Sequence, residues 1–287
     1  MTELALILVL VSAVTHASWN FIAKRASAGP VFNWLFDLMA VGACLPFAIG
    51  LIVIQQPHLS SAAWVFVVVS AVLELAYFLL LGQGYRSGDL SLVYPLARGT
   101  GPMLATAAAV VLFGERPSPQ ALCGIALIGV GILALAGPRQ LQAGNARRSV
   151  VFALLTGVLL AAYTLWDKQA VSPTGGAIPP LLYFFLFTTC RAAMLTPYAL
   201  TRLPTVRSEW RLHRNHAFGV GVLCAVSYIL VLYALAISPV SYVAPVREIG
   251  ILFGAIMGWQ LLAEGAGRRR VAGALAMVAG VVALAFG

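Results

Sequence analysis

Charge is what this 287-residue chain has least of. Only 9% of its residues are charged and nine are acidic, against 61% hydrophobic and a mean hydropathy of +0.94. A soluble domain carries about 25% charged residues, so most of this chain must meet lipid. Cysteine is scarce as well. Cys44, Cys123, Cys190 and Cys224 fall in apolar runs without CxxC spacing, which argues against a disulfide framework or a thiolate metal site and leaves them as small packing residues. There is no glycine-rich phosphate loop, no His or Asp cluster with metal spacing, and no arguable Ser-His-Asp set. The pattern is not that of an enzyme, and it calls for no cofactor and no metal. No loop is long enough to form a soluble domain. A net charge of +9 raises nucleic acid as a partner, but the basic residues sit in short loops between apolar runs. That is the pattern of topology-setting charge, so no nucleic-acid partner is expected. The opening residues MTELALILVLVSAVTHASWN carry Glu3 and no basic start, and read as a retained helix rather than a cleaved leader.

What the chain has is a repeat. LSLVYPLARGTGPMLATAAAVVLFGERPSPQALCGIALIGVGILALAG (residues 90–137), shifted by 149, lies without a gap on the end of the chain. Arg98 falls on Arg247, Gly101 on Gly250, Glu115 on Glu264, Gly124 on Gly273 and Gly131 on Gly280. With a shift of 144, VSAVTHASWNFIAKRA falls on LTGVLLAAYTLWDKQA, Trp19 on Tyr163 and Lys24 on Lys168. The chain therefore divides into two similar halves, 1–138 and 149–287, joined by the polar run PRQLQAGNARRS. A self-similarity this long outranks any single motif as a guide to fold.

Ten segments reach the length of about 20 residues that a bilayer demands of a helix: 3–23, 31–54, 62–84, 89–113, 118–137, 149–167, 178–201, 215–236, 239–262 and 270–286. Five per half is an odd number, so the second half enters the membrane from the opposite side. The expected fold is an all-α membrane protein, ten transmembrane helices as two inverted five-helix repeats. Loops after the odd segments carry thirteen Lys and Arg, among them Lys24, Arg86, Arg147, Arg207, Arg211 and Arg268, against Arg116 and Lys168 on the other side. This bias places both termini outside the cytoplasm. Gly250, Gly254 and Gly258 form a small-residue row on the ninth segment, matched by Gly101, Ala105 and Ala109 on the fourth. Such rows let helices approach closely in lipid. The spacing predicts that these two helices cross along them, unless the rows only reflect an Ala- and Gly-rich composition.

Ionisable groups inside a membrane are expensive and mark function by default. The interior candidates are Glu74, Arg98, Arg191, and Arg247 with Glu248; His16 and Asn20 share one face of the first helix. Pro95, Gly99, Gly101 and Pro102 surround Arg98, and Pro245 precedes Arg247, so broken helices at mid-depth are expected. The alternative is a packing kink whose Arg snorkels or pairs with Glu74 or Glu248. Trp19, Tyr77, Tyr94, Tyr163, Trp166 and Tyr228 gather on the same helices. They predict an aromatic wall beside the guanidiniums; the alternative is an interfacial belt. The candidate substrate-binding set is thus Trp19, Glu74, Tyr77, Tyr94, Arg98, Tyr163, Trp166, Tyr228 and Arg247, around a cavity bounded by helices 1, 3, 4, 6, 8 and 9. Glu115 and Glu264 close helices at turns and are expected to cap or pair at the next helix start.

HASWNFIAKRA, GDLSLVYPLARGTGP and the GER…G…GVGIL run, with their second copies YTLWDKQA, SPVSYVAPVREIG and AEG…G…AGVVAL, resemble the drug/metabolite transporter superfamily and within it the ten-helix EamA type. The resemblance covers essentially the whole chain. It implies a monomeric or loosely associated carrier of small metabolites in a bacterial inner membrane, often an exporter. Amino-acid exporters similar to YddG are members, as are transporters of sugars, nucleotide conjugates and drugs. The four-helix multidrug relatives couple to protons through a Glu in the first helix. This chain has His16 there, so that mechanism does not carry over. The sequence leaves two classes open, an alternating-access carrier and a non-transporting scaffold or sensor. Symmetric interior arginines favour the carrier, and their pairing with aromatics favours a neutral or aromatic amino acid over a sugar, a nucleotide conjugate or a cationic compound.

Overall fold

The computed structural model describes the backbone of residues 1–24, 26, 29–87, 90–136, 146–253 and 268–286, and the side chains of these except 24, 85–87, 90–95, 135–136, 146–147 and 268–270. Among the described residues all regular structure is helical. The first repeat holds α1 (Glu3–Lys24), α2 (Pro30–Gln55), α3 (Ser61–Ser87), α4 (Leu90–Phe113) and α5 (Pro119–Ala136). The second holds α6 (Ala146–Val171), α7 (Pro180–Leu200), α8 (Leu203–Ile237), α9 (Val240–Arg247), α10, described over residues 249–253, and α11 (Arg268–Phe286). Helices satisfy every backbone donor within one segment, which lipid requires. α1, α2, α3, α4, α6 and α8 have the length and hydropathy to cross a bilayer, and α5 and α11 contain shorter apolar helices. Large apolar side chains such as Phe47, Ile54, Val111 and Leu112 stand exposed on the outside, while Asp37, Glu74, Arg98, Asp167, Arg191, Arg247 and Glu248 are buried.

The two repeats interlock about a pseudo-two-fold axis. Their counterparts are α1 and α6, α2 and α7, α3 and α8, α4 and α9, α5 and α11, and contacts come in mated pairs. α1 packs on α8 as α6 packs on α3; α4 packs on α6 as α9 packs on α1; α2 meets α7 and α5 meets α11 directly. The α5–α11 crossing leaves no room to add an atom. A Cβ on Gly124 would lie 2.6 Å from the Gly280 carbonyl oxygen, and one on Gly280 would lie 2.6 Å from that of Gly124. One on Gly131 would lie 2.7 Å from the Gly273 oxygen and 2.5 Å from Met277 Cγ. Four glycines that superpose in sequence therefore meet crosswise in space, with backbone on backbone.

Three expectations need correction. α4 and α9 touch, but Gly101 and Gly250 do not face each other: Gly101 abuts Leu160 of α6, and Gly250 approaches the Ala13 backbone of α1, each the first helix of the opposite repeat. Gly254 and Gly258 lie outside the described residues. Secondly, only one of the two Pro-containing helices is broken. α4 runs through Pro95 and Pro102 without interruption, whereas its counterpart stops at Arg247, turns at Glu248, and resumes as α10. Pro245 removes one amide, and the Glu248 amide instead reaches back to the Pro245 carbonyl at 3.1 Å. Thirdly, the basic loop drawn before segment eight is helix. α8 has 35 residues, roughly 52 Å at 1.5 Å per residue, well beyond a hydrocarbon core of about 30 Å. Its first turns carry exposed Arg207, Trp210, Arg211 and Arg214. α6 also extends past the drawn end at residue 167, so Asp167 and Lys168 belong to it.

Candidate functional site

The helix break sets the chemistry of the interior. Arg247 ends α9 and Glu248 stands between α9 and α10. The carbonyl end of one half-helix favours the guanidinium and the amide end of the next favours the carboxylate. Arg98, projected from the unbroken α4, meets this pair: its Nε lies 2.9 Å from Glu248 Oε2 with both side chains buried. The contact is ionic rather than a directed hydrogen bond, since neither atom meets hydrogen-bond geometry. Arg98 Nη2 is also 3.3 Å from His16 Nε2 of α1. Arg247 lies 5.1 Å over the Tyr228 ring, and its Nε has no hydrogen-bond partner among the described residues. This end of the interior holds two guanidiniums and one carboxylate.

The other end has the opposite count. Arg191 of α7 forks onto Asp37 of α2, with Nε 2.9 Å from Oδ2 and Nη2 2.5 Å from Oδ1, and its Nη1 donates to Glu74 of α3. Its guanidinium rests 5.1 Å from the Phe78 ring centre. Two carboxylates thus hold one guanidinium in bidentate geometry.

Between the ends is a cavity lined by residues of α1, α3, α4, α6, α7, α8 and α9, with about 60 Å³ open to the centres of water-sized molecules. Trp19, Glu74, Tyr77, Arg98, Tyr163, Tyr228 and Arg247 all line it. His16 and Asn20 line it from α1, and Asn20 Nδ2 donates to the His16 carbonyl at 2.8 Å. An aromatic row forms the wall: Tyr77 stands edge-on to Tyr163 at 5.5 Å, and Tyr163 is 6.4 Å from Tyr228. Of the described candidates, one, Trp166, is not part of this lining. Trp166 turns to α3, where its indole N–H donates to the Phe66 carbonyl at 3.1 Å and its ring packs on Phe66. The Tyr94 side chain lies outside the described residues.

Sequence reasoning named Arg191 as an interior charge but left it and α7, which also contributes Phe184, out of the cavity lining, and it passed over Asp37 and Asp167. The signal for both acids was the rule that picked out Glu74, a lone carboxylate in an apolar run. Asp167 was lost because segment six was ended on it. Its carboxylate, fully buried, accepts from Ser70 Oγ, from Tyr183 Oη at 2.8 Å and from Tyr228 Oη at 2.5 Å. Lys168 points elsewhere. Its Nζ takes the last carbonyls of α8, Leu235 O at 2.5 Å and Ser238 O at 3.0 Å. Glu115 does cap a helix, though not the next one: its Oε1 accepts the Val240 amide at 2.8 Å and its Oε2 the Ser241 amide at 2.9 Å, at the start of α9 in the other repeat. Glu264 lies outside the described residues.

The architecture of two interlocked repeats around a polar interior is also what known proteins share with this chain. The EamA-like transporter family matches residues 3–137 and again 147–286. The chain belongs to that family. It is a multi-pass membrane protein of the drug/metabolite transporter superfamily and a transporter of small molecules. An uncharacterized protein of Methanocaldococcus jannaschii is 30% identical over 138 residues, 46% of this chain and 96% of that one, so a single copy of the repeat accounts for nearly all of it. The spermidine export protein MdtI of Salmonella arizonae is 38% identical over 66 residues, 23% of this chain and 61% of MdtI. A solved crystal structure, named only as a protein, superposes with a TM-score of 0.72 at 15% identity over 97% of this chain and 98% of its own. That likeness speaks for the fold alone.

Proposed function

We propose that this transporter exports amino acids by alternating access, binding the zwitterionic head across the cavity. The observation that carries the reading is the unequal charge of its two ends. Arg98 and Arg247 face one carboxylate, Glu248; Arg191 faces two, Asp37 and Glu74. A substrate carboxylate fits the first end, where Arg247 Nε has no hydrogen-bond partner among the described residues and a guanidinium fork suits it. A substrate ammonium fits the second, beside Glu74. The wall of Tyr77, Tyr163 and Tyr228 suits an apolar or aromatic side chain. Trp19, Glu74, Tyr77, Arg98, Tyr163, Tyr228 and Arg247 are the residues to which binding is assigned. We place the chain in a bacterial plasma membrane as a monomer, as its family resemblance implies, with both termini outside the cytoplasm on the strength of the thirteen-to-two basic bias between the two sides.

The test is counterflow of labelled amino acids in proteoliposomes holding the full chain. Arg247→Ala should lower apparent affinity by roughly 10- to 100-fold, the worth of a charged hydrogen bond, with folding intact; Arg98→Ala should lower it as much but strands buried Glu248, so it is tested together with Glu248→Gln. Lys at either position should restore little if the fork matters. Spermidine is the comparison substrate, since a relative is named for its export. The three guanidiniums that line the cavity, Arg98, Arg191 and Arg247, against Glu74 as the one lining carboxylate among the described residues, disfavour a polycation. Movement of spermidine, a sugar or a cationic drug without any amino acid overturns the assignment.

A further inference from the structure

Among the described residues the buried interior holds four carboxylates, Asp37, Glu74, Asp167 and Glu248, against three guanidiniums, Arg98, Arg191 and Arg247. A zwitterion adds one charge of each sign and leaves the excess unchanged. The ion pairs divide the groups: Asp37 and Glu74 sit on Arg191, and Glu248 on Arg98. Among the described residues Asp167 is the carboxylate whose hydrogen-bond partners are all neutral. It is 0% exposed, and hydroxyls of three different helices, Ser70 of α3, Tyr183 of α7 and Tyr228 of α8, close over it. The charged groups that bear on it are Glu74 on α3 and Arg247 on α9; Lys168, next in sequence, is turned to the end of α8. An isolated ionised carboxylate in such a place is costly, and taking up a proton relieves the cost.

We infer that Asp167 is a proton-binding site whose occupancy is linked to the substrate cavity through Tyr228. Tyr228 is the shared part. Its hydroxyl donates to Asp167 Oδ2, while its ring lines the cavity beneath the Arg247 guanidinium. A protonated Asp167 becomes a donor itself, so one of the three hydroxyls must turn its own proton elsewhere. The Asp167 charge that bears on Arg247 disappears at the same time. Either change alters the wall that the substrate touches, which gives proton and substrate a coupling free energy. The site needs no first-helix carboxylate. It lies on α6, where the counterpart position on α1 is Ala23.

The link to transport rests on the carrier reading above; proton binding does not, and the experiment separates them. Infrared spectra of the purified full-length protein, titrated with acid and base, should show a protonated-carboxyl carbonyl band that comes and goes with pH. Asp167→Asn should abolish it, Glu74→Gln should keep it, and Ser70→Ala should move its midpoint. A band that persists in Asp167→Asn overturns the proposal, as does a parent protein with no titrating band across the range where it stays folded. In proteoliposomes loaded with a pH dye, an amino-acid gradient should move protons through the parent protein. Asp167→Asn should exchange labelled amino acid while proton movement is lost. Proton movement that survives in Asp167→Asn overturns the link. A parent that moves no amino acid sinks the substrate reading, and the infrared titration then decides the proton site by itself.

Discussion

The two repeats meet in two very different seams. At α5–α11 they touch through Gly124, Gly131, Gly273 and Gly280, with no charged group and no room for a methyl. At the centre, where α4, α6, α8 and α9 come together, they touch across buried charges and a cavity. The first seam is held by dispersion and close backbone approach, which has one good arrangement. The second is held by ion pairs and hydroxyls that can exchange partners. A carrier needs both. One seam keeps the halves in register and the other gives way to substrate. Within the polar seam the guanidiniums differ again. Arg191 is forked by two acids and is built to stay, whereas Arg247 rests on a tyrosine ring with its Nε unpartnered among the described residues and is the one proposed to take a ligand.

The contrast breaks most readily at Arg191. Arg191→Ala leaves Asp37 and Glu74 buried and uncompensated, and should destabilise the fold by about 3–5 kcal/mol. Thermal unfolding in detergent reads it, and adding Asp37→Asn with Glu74→Gln should recover much of the loss. If Arg191→Ala melts like the parent, the triad is no keystone. The apolar seam comes next. Gly131→Leu drives a side chain into Met277 and the Gly273 carbonyl, and should lower stability by about 1–3 kcal/mol; the conservative Gly101→Ala need only displace the side chain of Leu160 and should cost less. Equal costs at the two glycines, measured in the same melts, would mean that the α5–α11 crossing is not special. The smallest effect belongs to the cap. Glu115→Gln keeps one acceptor for the α9 amides and should lose about 1 kcal/mol, seen as a modest drop in midpoint with flux retained. A sharper comparison is Arg247→Met against Arg191→Met. The first should stop binding and keep the fold, and the second should do the reverse; a common phenotype merges the two roles.

The repeat, the crossing helices, the family and the guanidiniums of the interior were all legible in the sequence. The reason is that lipid makes polarity rare. A charged residue within an apolar run has nowhere to go but inward, and a 149-residue shift without a gap specifies two copies of one unit whatever their packing. Partners were not legible. Arg191 finds Asp37 across 154 positions, Ser70 finds Asp167 across 97, and Glu115 finds the amides of α9 across 125 and 126. Helical periodicity records which face turns inward but not which helix it will meet. Gly101 and Gly250 illustrate the limit: their spacing is right for close packing, and the fold sets them against α6 and α1 because the first helix of each repeat packs against the other repeat. Sequence decided what must be buried. The tertiary structure decided what each buried charge is buried with, and so made Arg191 a strut, left Arg247 open to the cavity, and set Asp167 beneath three hydroxyls.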